Sequence, residues 1–341
     1  MRLPSHSTSR TWRGPATNVR FVLPADVADP GSPSGGNVYD LRVSAGLDLL
    51  TVAGDWPRPS DTSALEQTLA SVPDGEVVLL DGLVGCGLPE VVVPHARRLK
   101  IAVLVHLPLA DETGLDPAVA AFLNEKEGQV LRAASAVVAT SPTAARDIRA
   151  RHGLGHVHVV VPGTDPAPLA RGTDGVHHLL CVASITPRKG HDLLVRALRR
   201  IERDWRLTCV GPHRPFLREL PRDDRVSFPG PLAGEALTSA YASADLFVLA
   251  SRAETYGMVV TEALAHGLPV IASAVPDALG DGGLLIPAGD ENAFVAALTR
   301  WFEDQDFRSE LRSKAIARRA SLSTWDESTE DLRRVLATLR P

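Results

Sequence analysis

Short runs rich in apolar residues recur along this chain. They fall at 18–23, 49–53, 77–80, 101–105, 136–139 and 156–161, then at 178–183, 207–210, 226–228, 245–249, 268–272 and 284–286. Their length and bounding polar residues mark them as buried strands. The segments between them are long enough for helices. Leu193, Leu194, Ala197, Leu198 and Ile201 recur at helical spacing and give a buried face to a helix over His191–Arg203. Further helices are expected from about Val38 with Asn37 as cap, over Asn124–Ala134, Leu237–Ser243 and Met258–His266, and as amphipathic segments at 307–320 and 324–339. Alternation of strand and helix predicts an α/β fold with parallel sheets. Pro162-Gly163-Thr164-Asp165-Pro166, followed by a polar stretch at 171–174, reads as a hinge, after which the alternation restarts as a second domain.

One stretch organises the rest: Ala250-Ser251-Arg252-Ala253-Glu254-Thr255-Tyr256-Gly257-Met258-Val259-Val260-Thr261-Glu262. It joins a strand to a helix, so Glu254 lies in the loop and Glu262 about a turn and a half into the helix. Open parallel sheets bind ligands where strands deliver their carboxyl ends to such loops. The free N–H groups of Tyr256, Gly257 and Met258 face that crevice, and the helix dipole favours an anion there. Carboxylates on either side accept hydrogen bonds from hydroxyls. A nucleotide sugar offers both chemistries, a diphosphate flanked by ribose and pyranose. An isolated E-x7-E spacing is most often a pair of surface acids, so the context must carry the reading.

That context begins with Pro187-Arg188-Lys189-Gly190, which follows a strand and places Lys189 above the same crevice. A cation there can neutralise a leaving diphosphate, although most loop lysines are simply solvated. In the first half, Gly35 and Gly36 end a Pro/Gly/Ser loop at 30–37. Composition alone favours an ordinary turn, but glycine also lets backbone approach a ligand. His106 directly follows the fourth strand and is placed to line a crevice, or to be a hydrogen-bonded histidine without a chemical role. Asp111 and Glu112 follow it and could meet acceptor hydroxyls.

The E-x7-E stretch with Thr-Tyr-Gly inside it, Pro187–Gly190, Val161-Pro162-Gly163-Thr164-Asp165 and Leu285-Ile286-Pro287-Ala288-Gly289-Asp290 together resemble the retaining glycosyltransferases of family 4, which adopt the GT-B fold. The resemblance is strong over 157–300 and thinner before that. It implies two Rossmann-like domains facing across a cleft: a loose extension at 1–17, an acceptor domain at 18–165, a donor domain at 166–320 and a terminal helix at 321–341 crossing back to the first domain. It implies that Gly35 and Gly36 face the donor's phosphate and sugar, that His106 contacts donor sugar or acceptor, and that the turn at Pro229-Gly230 borders the base. Ser184, Tyr256, Gly257, Met258 and Glu262 complete the expected donor contacts. Glu254, Lys189, Arg188 and His106 form the expected catalytic set. The family's usual Gly-Arg-Leu is here Ala183-Ser184-Ile185, so the customary diphosphate arginine is missing, and Arg188 is the candidate to replace it.

Composition narrows the alternatives. A net charge of −5 argues against non-specific nucleic-acid binding. No apolar run reaches the length of a membrane span. Residues 1–17 lack the apolar core of a secretory signal. Three cysteines, Cys86, Cys181 and Cys209, give neither a disulfide framework nor a zinc set, which fits a reducing cytoplasm. His152, His156 and His158 lie close together, but no cysteine or acid completes a metal site. Neither metal nor cofactor is expected; the expected partners are a nucleotide-sugar donor and a small soluble acceptor. A nicotinamide dehydrogenase lacks its G-x-G-x-x-G after the first strand of either half. A GT-B epimerase or phosphorylase-like enzyme fits the paired motifs poorly. A degenerate, nucleotide-sugar-binding or partner-binding module remains as the non-enzymatic alternative.

Overall fold

The computed structural model describes residues 19–29, 34–112, 114–212 and 215–340. The expected extension at 1–17 and loop residues 30–33 lie outside the described residues. The first half runs β1 (Arg20–Pro24), α1 (Gly35–Val43), β2 (Asp48–Val52), α2 (Ser63–Ser71), β3 (Val77–Asp81), α3 (Gly82–Gly85), α4 (Pro89–His95), β4 (Lys100–Val105), α5 (Pro117–Ala133), β5 (Ala136–Ala139), α6 (Pro142–His152) and β6 (His158–Val159). The second runs β7 (His178–Val182), α7 (His191–Arg199), β8 (Arg206–Val210), β9 (Val226–Gly230), α8 (Gly234–Ala242), β10 (Leu246–Leu249), α9 (Met258–Ala265), β11 (Val270–Ser273), α10 (Pro276–Leu279), β12 (Leu284–Ile286), α11 (Glu291–Glu303), α12 (Gln305–Arg319) and α13 (Trp325–Ala337). Each half builds a six-stranded sheet, ordered β2-β1-β3-β4-β5-β6 and β12-β11-β10-β7-β8-β9. Every pairing is parallel. Helices cover both faces of such sheets, which is why β3, β5, β10 and β11 are buried along their whole length.

Several boundaries differ from the pattern-based expectation, and three helix ends show a local reason. Helix α1 starts at Gly35, not Val38, because Ser34 rather than Asn37 is the cap: its Oγ accepts from the Asn37 N–H at 3.0 Å. Helix α5 starts at Pro117, not Asn124, because Asp116 caps it through the Ala118 N–H and proline suits the first helical position. Helix α7 stops at Arg199, where the Arg200 and Ile201 N–H groups turn back to Ala197 and Leu198 in tighter bonds.

The halves meet through their strand ends. The Thr143 N–H at the start of α6 donates to Asp277 Oδ2, at the start of α10, at 2.9 Å. A Cβ on Gly35 would lie 3.9 Å from the sulfur of Met258, the first residue of α9. All these helices begin at carboxyl ends of parallel strands, so the two sheets turn those ends toward one another across a cleft. Helix α13 then returns to the first half. Its Leu332, Val335 and Leu336 join the cluster of Phe21, Leu23 and Tyr39. Ser328 donates to the Val161 carbonyl and Arg333 to the Ala45 carbonyl, both at 2.7 Å. A Cβ at Gly163 would stand 2.3 Å from the Trp325 nitrogen, so the hinge passes beneath the first turn of α13 only because it has no side chain there.

Candidate active site in the cleft

The second-half wall is built by the β7–α7 and β10–α9 loops. Glu254 has a side chain only 7% exposed. Lys189 Nζ and Ser251 Oγ both donate to its Oε1, the serine at 2.7 Å. Arg188 Nη1 reaches its Oε2 at 3.4 Å and the Ala253 carbonyl at 3.1 Å. Burial works to raise the Glu254 carboxyl, but the charges of Lys189 and Arg188 outweigh it and hold the group below the ordinary glutamate range. Two cations thus share one carboxylate. Among the described residues Arg188 Nε is buried with no partner, so a donor N–H is left unspent there.

The turn carrying these cations is clamped from outside. Arg252 grips Asp192 through both terminal nitrogens, at 2.9 and 2.8 Å, and also donates to the Pro187 carbonyl. The Arg252 N–H donates to the Arg188 carbonyl at 2.7 Å. Gly190 closes the turn with φ +67, and a Cβ there would lie 1.9 Å from the Ala250 carbonyl oxygen. Gly257 caps α9 with φ +99, and a Cβ would meet Val275 at 2.5 Å. Gly190 lets the β7–α7 and β10–α9 loops lie against each other, and Gly257 lets the start of α9 pass close to Val275 at the start of α10.

Glu262 lies one turn into α9. Tyr241 of α8 donates to its Oε2 at 2.8 Å, and the tyrosine ring stacks on His266 at 5.1 Å. Burial raises the Glu262 carboxyl, the Tyr241 hydrogen bond lowers it, and Asp165 in the hinge raises it further. Asp165 in turn accepts from Arg42 of α1, so Glu262 borders the junction of the two halves. Tyr241 therefore orients Glu262 as well as packing against His266.

The first-half wall centres on His106, whose side chain is 19% exposed. Its Nε2 meets Asp40 Oδ1 at 2.7 Å. Tyr39 stands edge-on to the ring at 5.2 Å, and a Cβ on Gly36 would come within 3.2 Å of it. Asp40 and Asp81 lie behind, fully buried, and one atom from each of the three groups falls within 4.8 Å of the others. The 2.7 Å contact is a hydrogen bond; two ligands of one tetrahedral ion would stand about 3.3 Å apart. Burial alone would discharge His106, but Asp40, by charge and hydrogen bond, and Asp81 push it up to about 9. Burial, then the charge of Asp40, push Asp81 up to about 7.

The structure therefore brings Glu254, Lys189 and Arg188 together, sets Tyr256, Gly257, Met258 and Glu262 along the same loop and helix, and puts Gly35, Gly36 and His106 opposite. Gly35 and Gly36 form the first turn of α1 instead of a loop. Tyr256 is buried, so its ring does not line the cleft surface. Ser184 follows β7 beside the Gly211 turn, where the Gly211 N–H donates to Gly230, the last residue of β9, at 3.0 Å; Pro229 precedes it in that strand. Asp111 is engaged by Arg151 at 3.0 Å. His156 and His158 meet edge to face, whereas His152 pairs with the buried Glu127 at 3.2 Å. Reading the sequence missed Asp40, Asp81, Tyr241 and the Arg252–Asp192 clamp. Of these, Asp81 was visible as an acid ending an apolar strand; the others depend on contacts between distant segments.

Residues 176–304 match the family described as Glycosyl transferases group 1. A D-inositol 3-phosphate glycosyltransferase of Kribbella flavida is 31% identical over 403 aligned positions, covering 94% of this chain and 94% of that protein. The same-named protein of Kineococcus radiotolerans is 32% identical over 60% of this chain and 57% of its own length. The sulfoquinovosyl transferase of Arabidopsis thaliana is 35% identical over 36% of this chain and 26% of its own. Against the latter two, the chain spans little more than half of the relative or less. Among solved structures, Anabaena HepE in complex with UDP and glucose superposes with TM-score 0.74 at 16% identity, over 94% of this chain and 100% of that one. Sucrose-phosphate synthase from Thermosynechococcus elongatus superposes with TM-score 0.74 at 20% identity, over 95% and 99%. At such identities the structural likeness is one of fold. Among the described residues, no helix is long and apolar enough to cross a membrane.

Proposed function

The chain belongs to the glycosyl transferases group 1 family and has its GT-B architecture, and from that premise we propose that it moves a sugar from a nucleoside-diphosphate donor to an acceptor hydroxyl with retention at the anomeric carbon. The observation that carries the reading is the Lys189–Arg188–Glu254 cluster beside the first turn of α9. A diphosphate entering there meets two cations and the α9 amides. Glu254, released from full neutralisation of the cations, is placed to accept from hydroxyls of the transferred sugar, and Glu262 from those of the ribose. In the step itself, the bond from the anomeric carbon to the leaving phosphate oxygen breaks, and the acceptor oxygen bonds to the same face. The departing phosphate oxygen takes the acceptor's proton, so no separate protein base is required.

The second half would hold the donor and the first half the acceptor. Inositol 3-phosphate is the first acceptor to assay, because the Kribbella flavida relative, matched over nearly its whole length, is named for it. A second reading, a binding module without turnover, draws on Ser184 at the usual arginine position and on cations already paired with Glu254. Thermal shift against UDP, GDP, ADP and dTDP sugars identifies the donor, since a ligand of the folded state raises Tm. With that donor, Lys189→Ala should slow transfer about a hundredfold. Glu262→Ala should raise donor KM about tenfold with kcat little changed. Wild-type rates in both variants at low donor concentration would sink the site assignment; donor binding without transfer would favour the second reading.

A further inference from the structure

Resting on the transferase reading, we propose that Asp40 is a positioning residue that keeps His106 an imidazolium at the cleft surface, where its Nδ1–H donates to an oxyanion of the bound donor and takes no part as a base. The geometry comes first. Asp40 is 0% exposed on α1, and its Oδ1 holds His106 Nε2 at 2.7 Å. Among the described residues the other carboxylate oxygen of Asp40 is buried with no N–H or hydroxyl donor, and the carboxyl of Asp81 on β3 shares a hydrogen bond with Asp40 only while it keeps its proton. A buried carboxylate left short of donors is costly unless a cation stays with it. The ring is fixed on its other sides by Tyr39 and by the first turn of α1 at Gly36. Only Nδ1 remains, and among the described residues it has no partner.

The location indicates the ligand. Gly36 touches His106, and its neighbour Gly35 approaches Met258, the first residue of α9. The imidazole therefore borders, from the opposite half, the space into which the α9 amides point. A cation there adds to the charge that Lys189 and Arg188 bring from the far wall, where Ser184 brings none. Asp40, Asp81 and Tyr39 are the titratable groups facing the ring. Burial raises Tyr39 far above its usual value, so it stays neutral. Asp81, raised to about 7, still favours the charged ring when it ionises. A ring held charged up to about pH 9 remains a donor across the neutral range and has no free lone pair with which to accept a proton.

The test follows the His106 ring by NMR in the full chain, together with the pH profile of transfer, for wild type, Asp40→Asn and Asp40→Glu. Wild-type His106 should titrate near 9 and kcat should stay flat from neutral pH to that point. In Asp40→Asn the ring, buried without its counter-charge, should titrate below the usual histidine range. Transfer should then fall at neutral pH by about tenfold or more and recover on acidification. Asp40→Glu should restore the alkaline limb. A wild-type ring titrating near 6.5, a kcat that climbs as histidine loses its proton, or an Asp40→Asn profile identical to wild type would each overturn the proposal. If no donor supports transfer, the transferase reading fails, yet the wild-type ring titration still decides whether Asp40 holds the charge. The same titration decides the matter if Asp40→Asn does not fold.

Discussion

At the scale of single residues, the site is a set of charges arranged so that each is spoken for before substrate arrives. Lys189 and Arg188 rest on Glu254, His106 rests on Asp40, and Glu262 rests on the Tyr241 hydroxyl. The last contact is the simplest to isolate. Tyr241→Phe removes one hydrogen bond to a carboxylate, worth about 1.5–3 kcal/mol, while keeping the ring stacked between Phe247 and His266. Donor KM should rise about tenfold and kcat should change less than about twofold, as for loss of ground-state orientation; an unchanged KM would show that Glu262 needs no such support. How much of this was legible depended on sequence distance. Glu254 and Glu262 share one strand–loop–helix unit and could be read together. Asp40 lies 66 positions from the histidine it holds, and nothing in its neighbourhood, Val-Tyr-Asp-Leu-Arg, marks it as other than a polar helix residue.

Elements matter here through their ends. Each loop that shapes the cleft begins at a parallel strand's carboxyl end, and a helix then starts with amides pointing inward. The β7–α7 connection is the most constrained. Gly190 has φ +67 and no room for a Cβ against the Ala250 carbonyl, so Gly190→Ala must move either the Pro187–Lys189 turn or the start of the β10–α9 loop. The expected loss is at least about 2 kcal/mol from the left-handed backbone and the clash together. Transfer should fall at least about tenfold because Lys189 leaves Glu254; unaltered activity with a lowered Tm would separate stability from positioning. The strand–helix alternation was readable because buried parallel strands are apolar throughout and helices repeat at a different period. Helix starts were less so: Ser34 and Asp116 cap α1 and α5 from positions that polar loops offer in abundance.

For the whole molecule, the decisive arrangement is the pair of sheets with their strand ends facing across the cleft and α13 tying the second half to the first. Leu332, Val335 and Leu336 bury their side chains against the first sheet's helices and strands. At about 1.5–3 kcal/mol each, they supply a sum comparable to a domain's net stability of about 5–15 kcal/mol. A chain ending before Trp325 should therefore lose hydrogen-exchange protection over β1 and α1 while the second half keeps its own core and still binds donor. Equal protection in both forms would show that the first half stands without the helix. The two-sheet plan could be anticipated from the strand–helix alternation on either side of the hinge, and the returning helix from the family resemblance. The contacts that set the halves against each other, Thr143 to Asp277 and Arg42 to Asp165, could not, because each joins polar residues that look solvated in the linear chain. The returning helix also imposes an order of events on biosynthesis. Leu79, Leu104 and Val138 cover part of the patch around Phe21, Leu23 and Tyr39 once the first sheet forms, but the part under Leu332, Val335 and Leu336 waits until the second sheet has been made. Until then the first half shows apolar surface of the kind that makes incompletely folded chains prone to aggregate.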